Sequence, residues 1–191
     1  MNVEIVCVID RSGSMAAVAD DAIGGFNSFL ASQKELGEAR FTLVLFDHDY
    51  QLIYNGEDLS SIPGLDHKSY VPRGTTALYD AIGRTIDQVG ERFKYSRNSP
   101  EKVIFVILTD GKENASTDYD REKVAQMIKH QQDKYSWEFL FLAANQDAFA
   151  EGQAMNIKTD NTAHYESSKA GTRGAYAAME KMVSRHRKEN S

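Results

Sequence analysis

The sequence predicts an α/β fold of the doubly wound kind, with a mainly parallel sheet, one short antiparallel edge strand and helices on both faces. Three observations predict it. Residues 3–9, 41–46 and 103–108 are dominated by Val, Ile, Leu and Phe, the composition of strands buried on both faces. Segments with helical spacing separate these runs, and parallel strands need such crossovers. The connection Asp47-His48-Asp49-Tyr50 is too short for a crossover, so residues 51–54 pair back as a hairpin at the sheet edge.

Taken in order, strand 3–9 leads to a helix whose apolar stripe is Ile23, Phe26, Phe29 and Leu30, ending before Gly37. Strand 41–46 and the hairpin follow. Residues 55–73 contain Gly56, Pro63, Gly64 and Pro72 without periodicity, which predicts a long surface loop, and loops of that length are usually functional. Leu78, Ile82, Ile86, Val89 and Phe93 recur at steps of four, four, three and four, the clearest amphipathic helix of the chain. After strand 103–108 come a weaker stripe (Val124, Met127, Ile128, Gln131), a strand over 140–144 and a helix over about 168–187 carrying Ala170, Ala178, Met182 and Val183. Residues 156–164 are polar and weakly β-forming, so a last strand there should be short or missing. Nothing divides the chain, and residues 1–191 read as one domain.

Composition narrows the function classes. With 41% hydrophobic and 10% aromatic residues, 191 residues can build a substantial core. Lys and Arg number 22 against 28 Asp and Glu, a net charge of −6. The only basic cluster is Arg185-His186-Arg187-Lys188, which suits the last turn of a helix, so nucleic acid is not an expected partner. The one cysteine, Cys7, lies in an apolar run and reads as a small buried hydrophobe. The opening Met-Asn-Val-Glu lacks the pattern of a secretion signal, and no segment approaches the ~18 apolar residues of a membrane span. A cytoplasmic protein without membrane contact is the expectation.

Chemistry concentrates at three places. Asp10-Arg11-Ser12-Gly13-Ser14 follows the first buried strand and puts three oxygen side chains on alternate residues of a turn. Such a turn can hold a hard cation, which takes oxygen ligands, although Ser12 or Ser14 could equally cap the next helix. Thr109-Asp110-Gly111 ends another buried strand. Ligands of open parallel sheets bind at carboxyl ends of strands where the strand order reverses, and two carboxylates meeting there would be costly unless a cation sat between them. Finally, Pro72-Arg73-Gly74-Thr75-Thr76-Ala77-Leu78 runs into the best helix, with Thr75 or Thr76 as cap, ligand or both.

Together, Asp10-Arg11-Ser12-Gly13-Ser14-Met15, Gly74-x-Thr76-Ala77-Leu78-Tyr79-Asp80-Ala81 and Thr109-Asp110-Gly111 resemble the three segments of the metal-ion-dependent adhesion site (MIDAS) of von Willebrand factor A-type (VWA) domains. Within that family the sequence looks most similar to small stand-alone bacterial and phage VWA proteins. The resemblance implies that Ser12, Ser14 and Thr76, which holds the Thr-x-Leu place, bind a metal directly, and that Asp10 and Asp110 act directly or through water. Mg²⁺ is the expected ion, with Mn²⁺ or Ca²⁺ also suited. It further implies a binding module rather than an enzyme, in which an Asp or Glu of a partner protein completes the coordination. Arg11 and Arg73 flank the site as candidate positive charges for that ligand. Relatives of this kind can also shift the last helix on ligation, and Asn145-Gln146-Asp147 should lie near the same edge, with Asp147 as a helix cap.

Two rivals stand beside this. A haloacid-dehalogenase-like phosphohydrolase also places Asp after its first strand beside Mg²⁺, but it needs a general acid two residues on, where this chain has Ser12, and its later Lys has only Lys112 as a candidate. A scaffold with a vestigial or structural metal site is the other. Nucleotide-binding Gly-x-x-x-x-Gly-Lys-Ser/Thr and the hydrolase elbow Gly-x-Ser-x-Gly are both absent. Asp47-His48-Asp49 could bind a cation, but its place between two strands favours a polar turn.

Overall fold

The computed structural model describes residues 2–96 and 99–189, and in it β1 (Val3–Asp10) is buried along its whole length. Its alternate side chains serve two cores. Ile5, Cys7 and Ile9 pack toward α1 (Ala19–Glu35), while Val6 and Val8 pack toward α2 (Leu78–Lys94). This double burial is why the strand reads as a continuous apolar run rather than an alternating one.

The remaining elements are β2 (Arg40–Phe46), β3 (Tyr50–Asp58), β4 (Lys102–Thr109), α3 (Arg121–Tyr135), β5 (Glu138–Ala143), α4 (Ala148–Ala154), β6 (Thr162–His164) and α5 (Lys169–Lys188). They form one six-stranded sheet in the order β3-β2-β1-β4-β5-β6, parallel throughout except where β3 runs back against β2. Helices α1 and α5 cover one face, and α2 and α3 cover the other. The fold class predicted from the sequence is therefore the one observed.

One edge differs in extent from the sequence expectation, and the other keeps to it. Strand β3 continues to Asp58 and takes in residues 55–58, which lack periodicity and read as loop. A register shift against β2 at a left-handed Gly56 (φ 70°) lets this polar stretch keep pairing, and Gly56 N–H donates to Thr42 Oγ1 at 2.9 Å. At the other edge, β6 is present but only three residues long, with Thr162 opposite Phe141.

The basic tail is more than a surface charge. His186 and Arg187 are buried, and the Arg187 guanidinium donates to the carbonyls of Gln33 (2.6 Å), Gly37 (3.0 Å) and Glu38 (3.2 Å). It thereby ties the end of α5 to the last turn of α1 and to the loop that follows it. Arg187→Ala is expected to lower the unfolding free energy by about 2 kcal/mol, the scale of lost hydrogen bonds to a charged group. Urea denaturation checks this, and an unchanged midpoint would show that water replaces the guanidinium without loss.

From β1 the chain leaves through α1 to β2 on one side. It returns across the other face through α2 to β4 on the opposite side of β1. The strand order thus reverses between β1 and β4, where a ligand crevice is expected at the carboxyl ends.

Candidate metal centre

Asp10 closes β1 and Thr109 closes β4, which run side by side with Ile9 opposite Leu108. The Asp10 side chain is fully buried. Its Oδ1 accepts from Ser12 N–H at 2.6 Å and its Oδ2 from the Thr109 hydroxyl at 2.7 Å. Ser14 donates its hydroxyl to Asp110 Oδ1 at 2.7 Å and so accepts from the Ser12 hydroxyl, 3.2 Å away. Asp10, Ser12, Ser14 and Asp110 are therefore linked in one hydrogen-bonded chain across two strand ends. The other oxygen of Asp110, Oδ2, is buried with no hydrogen-bond partner.

Thr76 reaches the same place from the loop before α2. It is buried while Thr75 is exposed. Its N–H donates to Asn114 Oδ1 (2.9 Å), Asn114 N–H donates back to its carbonyl (3.0 Å), and its hydroxyl lies 3.3 Å from the position a Cβ on Gly111 would take. No hydrogen bond joins that hydroxyl to the other four residues.

The capping alternative finds no support in the geometry. Helix α1 starts only at Ala19, after a 3-10 turn over Gly13–Val18, and neither Ser12 before that turn nor Val18 before α1 makes a side-chain cap bond. The residue before α2 is Ala77, likewise without one. The hydroxyls of Ser12, Ser14 and Thr76 are thus not spent on helix ends.

Backbone contacts hold the first two loops together. Gly13 N–H donates to Gly74 O (3.1 Å) and Arg73 N–H to Arg11 O (2.9 Å). Gly74 has φ 68°, and a Cβ there would sit 2.0 Å from His48 Nδ1, so the crossing requires glycine. Arg11 does not flank the site as a free charge. It is buried, donating to Asp47 Oδ2 at 3.1 Å, and Arg73 donates to the same oxygen at 3.0 Å and to Asp49 Oδ2 at 2.9 Å.

Several further residues support the donor set. Tyr70 donates its hydroxyl to the Asp10 carbonyl at 2.7 Å. Asp80 accepts from the backbone N–H groups of Thr117, Asp118 and Tyr119 (2.8 to 3.0 Å) and so ties the loop after β4 to α2. Asn145 and Gln146 donate to the carbonyls of Asp110 (2.6 Å) and Gly111 (3.0 Å), and Asp147 caps α4 as expected. Asp80 lies inside the second motif segment, and Asn145 and Gln146 were expected near this edge of the sheet. Tyr70 becomes meaningful only once the chain is folded.

Burial pushes the Asp10 carboxyl up to about 6, against the lowering effect of its bonds from Ser12 and Thr109, and Asp110 adds a little in the same direction. Burial also raises Asp110, offset in part by Ser14. Two desolvated carboxylates, an unpaired buried oxygen and three hydroxyls free of capping make an all-oxygen donor set that fits a hard divalent cation. Among the described residues, Asp47, His48 and Asp49 also bring three ligand atoms within 4.8 Å of one another.

An α/β domain with an oxygen-lined centre at the switch point of its sheet is the class of protein that these features define. The chain matches the von Willebrand factor type A domain over residues 4–183 and belongs to that family. No curated protein matches it significantly in sequence. Among solved structures it is similar to the vWF domain of the type V pili tip protein Mfa5 from Porphyromonas gingivalis, at 12% identity and a TM-score of 0.68 with 95% of each chain covered. The PilB minor pilin from Streptococcus sanguinis is similar at 14% identity and a TM-score of 0.65, over 96% of this chain and 61% of the pilin. Proximal thread matrix protein 1 from the mussel byssus, with a zinc-occupied MIDAS motif, aligns at 14% identity and a TM-score of 0.65, over 95% of this chain and 46% of that one. The chain thus spans less than two thirds of the pilin and of the mussel protein, and likeness at this identity concerns the fold. No helix among the described residues is long and apolar enough to cross a membrane.

Proposed function

We propose that this VWA domain is a metal-dependent protein-binding module. Asp10, Ser12, Ser14, Thr76 and Asp110 would hold one divalent cation, Mg²⁺ in the cell, and an Asp or Glu of a partner protein would complete its coordination. The observation that carries the reading is the chain of oxygen donors that ends on the unpaired, buried Oδ2 of Asp110. A bound cation would supply the positive charge that the two carboxylates lack. The zinc-occupied motif of the mussel protein supports the same placement on this fold. With two charged groups among five donors, a divalent ion is neutralised yet keeps room for one more strong ligand. A cytoplasmic, bacterial or phage setting belongs to the same reading and rests on the sequence.

The phosphohydrolase alternative gains nothing from the geometry. Its nucleophile would be Asp10, whose two oxygens are fully buried and turned onto Ser12 and Thr109. Ser12, at the place of the general acid, cannot serve as one.

Mn²⁺ tests the open position. Bound Mn²⁺ that keeps exchangeable water enhances the relaxation of water protons, and a short Asp-containing peptide is expected to quench that enhancement while its Asn counterpart does not. Binding without enhancement would mean a closed, structural site. No binding at all would overturn the metal centre.

A further inference from the structure

Two loops of the centre meet at a residue that holds no place in its donor set. Asp47 follows β2 and is completely buried, and an unpaired charge there would be costly. Its Oδ2 accepts from the Nε of both Arg11 and Arg73, and its Oδ1 accepts from Asp49 N–H at 2.6 Å. Arg11 stands between Asp10 and Ser12, and Arg73 stands three residues before Thr76. The backbone repeats the pattern, since Arg11 N–H donates to Phe46 O (2.8 Å) and Ala77 N–H to Asp47 O (2.9 Å).

We propose, on the basis of the metal-binding reading above, that Asp47 is a positioning residue of the centre: through Arg11 and Arg73 it fixes the first two donor loops to the β2–β3 turn. It does not bind an ion itself. The two guanidiniums on Oδ2 and the Asp49 N–H on Oδ1 occupy the directions a cation would use, so Asp47 and Asp49 form a charge clamp with Arg11 and Arg73 rather than a second metal site. Arg73 closes the clamp by spanning Asp47 and Asp49 with two of its nitrogens, a fork that lysine cannot reproduce. Arg11, packed inside, has no free face for a ligand, and its second bond to Gln51 anchors it to β3.

The clamp and simple electrostatics predict opposite signs. Removing a positive charge beside a cation site strengthens cation binding through space, whereas loosening a group that orients the ligands weakens it, by about tenfold on the scale of outer-shell changes. Calorimetric titration of Mn²⁺ into wild type, Arg73→Ala, Arg73→Lys and Asp47→Asn separates the two. The Arg73 side chain is half exposed, so its variants retain the fold even where Asp47→Asn, which strands buried Arg11, does not. The expected result is a roughly tenfold weaker affinity for Arg73→Ala, with Arg73→Lys weakened nearly as much although its charge is kept. Wild-type binding that Arg73→Ala leaves unchanged or tightens overturns the positioning role. So does a lower metal-free melting temperature with the dissociation constant unmoved, which would make the clamp structural only. Failure of the wild type to bind Mn²⁺ overturns the metal centre itself, and this role with it.

Discussion

At neutral pH, Mn²⁺ at a hundred times its dissociation constant is expected to raise the melting temperature of the wild type by about 5–11 °C. Mass action gives about 2.7 kcal/mol at that excess, and a domain of this size moves by roughly 2–4 °C per kcal/mol. Asp110→Asn is expected to abolish the shift and, without metal, to melt above the wild type. The second half follows from the site's own electrostatics. Asp110 Oδ2 is buried without a donor, and burial raises the carboxyl's pKa. A neutral amide of the same shape removes the desolvated charge and keeps the acceptor for Ser14. Stability gained where binding is lost is the signature of a group kept for function rather than for the fold. Scanning calorimetry with EDTA or Mn²⁺ reads both halves. A retained shift in Asp110→Asn would remove Asp110 from the donor set, and a lower metal-free melting temperature would make its carboxylate structural.

The parts of the fold that were legible are those whose burial leaves a local trace. Strands β1, β2 and β4 are covered on both faces and read as apolar runs, and α2 shows its one buried face as a repeating stripe. Edge strands leave less. The far half of β3 is exposed at Asn55, Glu57 and Asp58 and its pairing is broken by a register shift, and β6 is three residues of Thr, Ala and His. The proposed donor residues stand out in the sequence for a related reason. Asp10, Ser12 and Ser14 lie within five residues directly after a strand, and Asp110 directly after its neighbour, so two short motifs and one topological rule bring them together. Whether the serines cap a helix was open in the sequence. It turns on the 3-10 turn that separates them from α1, a feature with no clear sequence mark. Asp47 and Tyr70 were illegible because their partners are far away in sequence. Asp47 meets Arg11 across 36 positions and Tyr70 meets Asp10 across 60, and no periodicity records such pairs. Arg187 misleads for the same reason, since in the sequence a cation in the last helical turn looks complete without the carbonyls of Gln33, Gly37 and Glu38.

Lowering the pH is expected to weaken Mn²⁺ binding by about tenfold for each unit below 6, because the ion needs Asp10 as a carboxylate and its binding then expels one proton. The sign for folding runs the other way. Asp10 has an ordinary value of 3.8 when exposed and about 6 in the metal-free fold, so the folded state holds the proton more tightly than the unfolded chain does. Its contribution to stability is full below about pH 4 and is lost as the pH rises through 6, a swing of ~3 kcal/mol. Asp58 and Asp66, lowered by hydrogen bonds from nearby backbone and serine groups, titrate in the opposite sense and contribute above their ordinary range. The absolute pH profile mixes these effects, so the informative quantity is the difference between wild type and Asp10→Asn. Without metal, that difference should grow in favour of the variant from pH 4 to pH 7. With Mn²⁺ it should reverse at neutral pH, because only the wild type then binds the ion. An Mn²⁺ affinity that stays flat between pH 5 and 7 would mean that Asp10 is already ionised across that range. The hydrogen bonds from Ser12 and Thr109 would then outweigh its burial, and the ion would not be needed to relieve a desolvated charge.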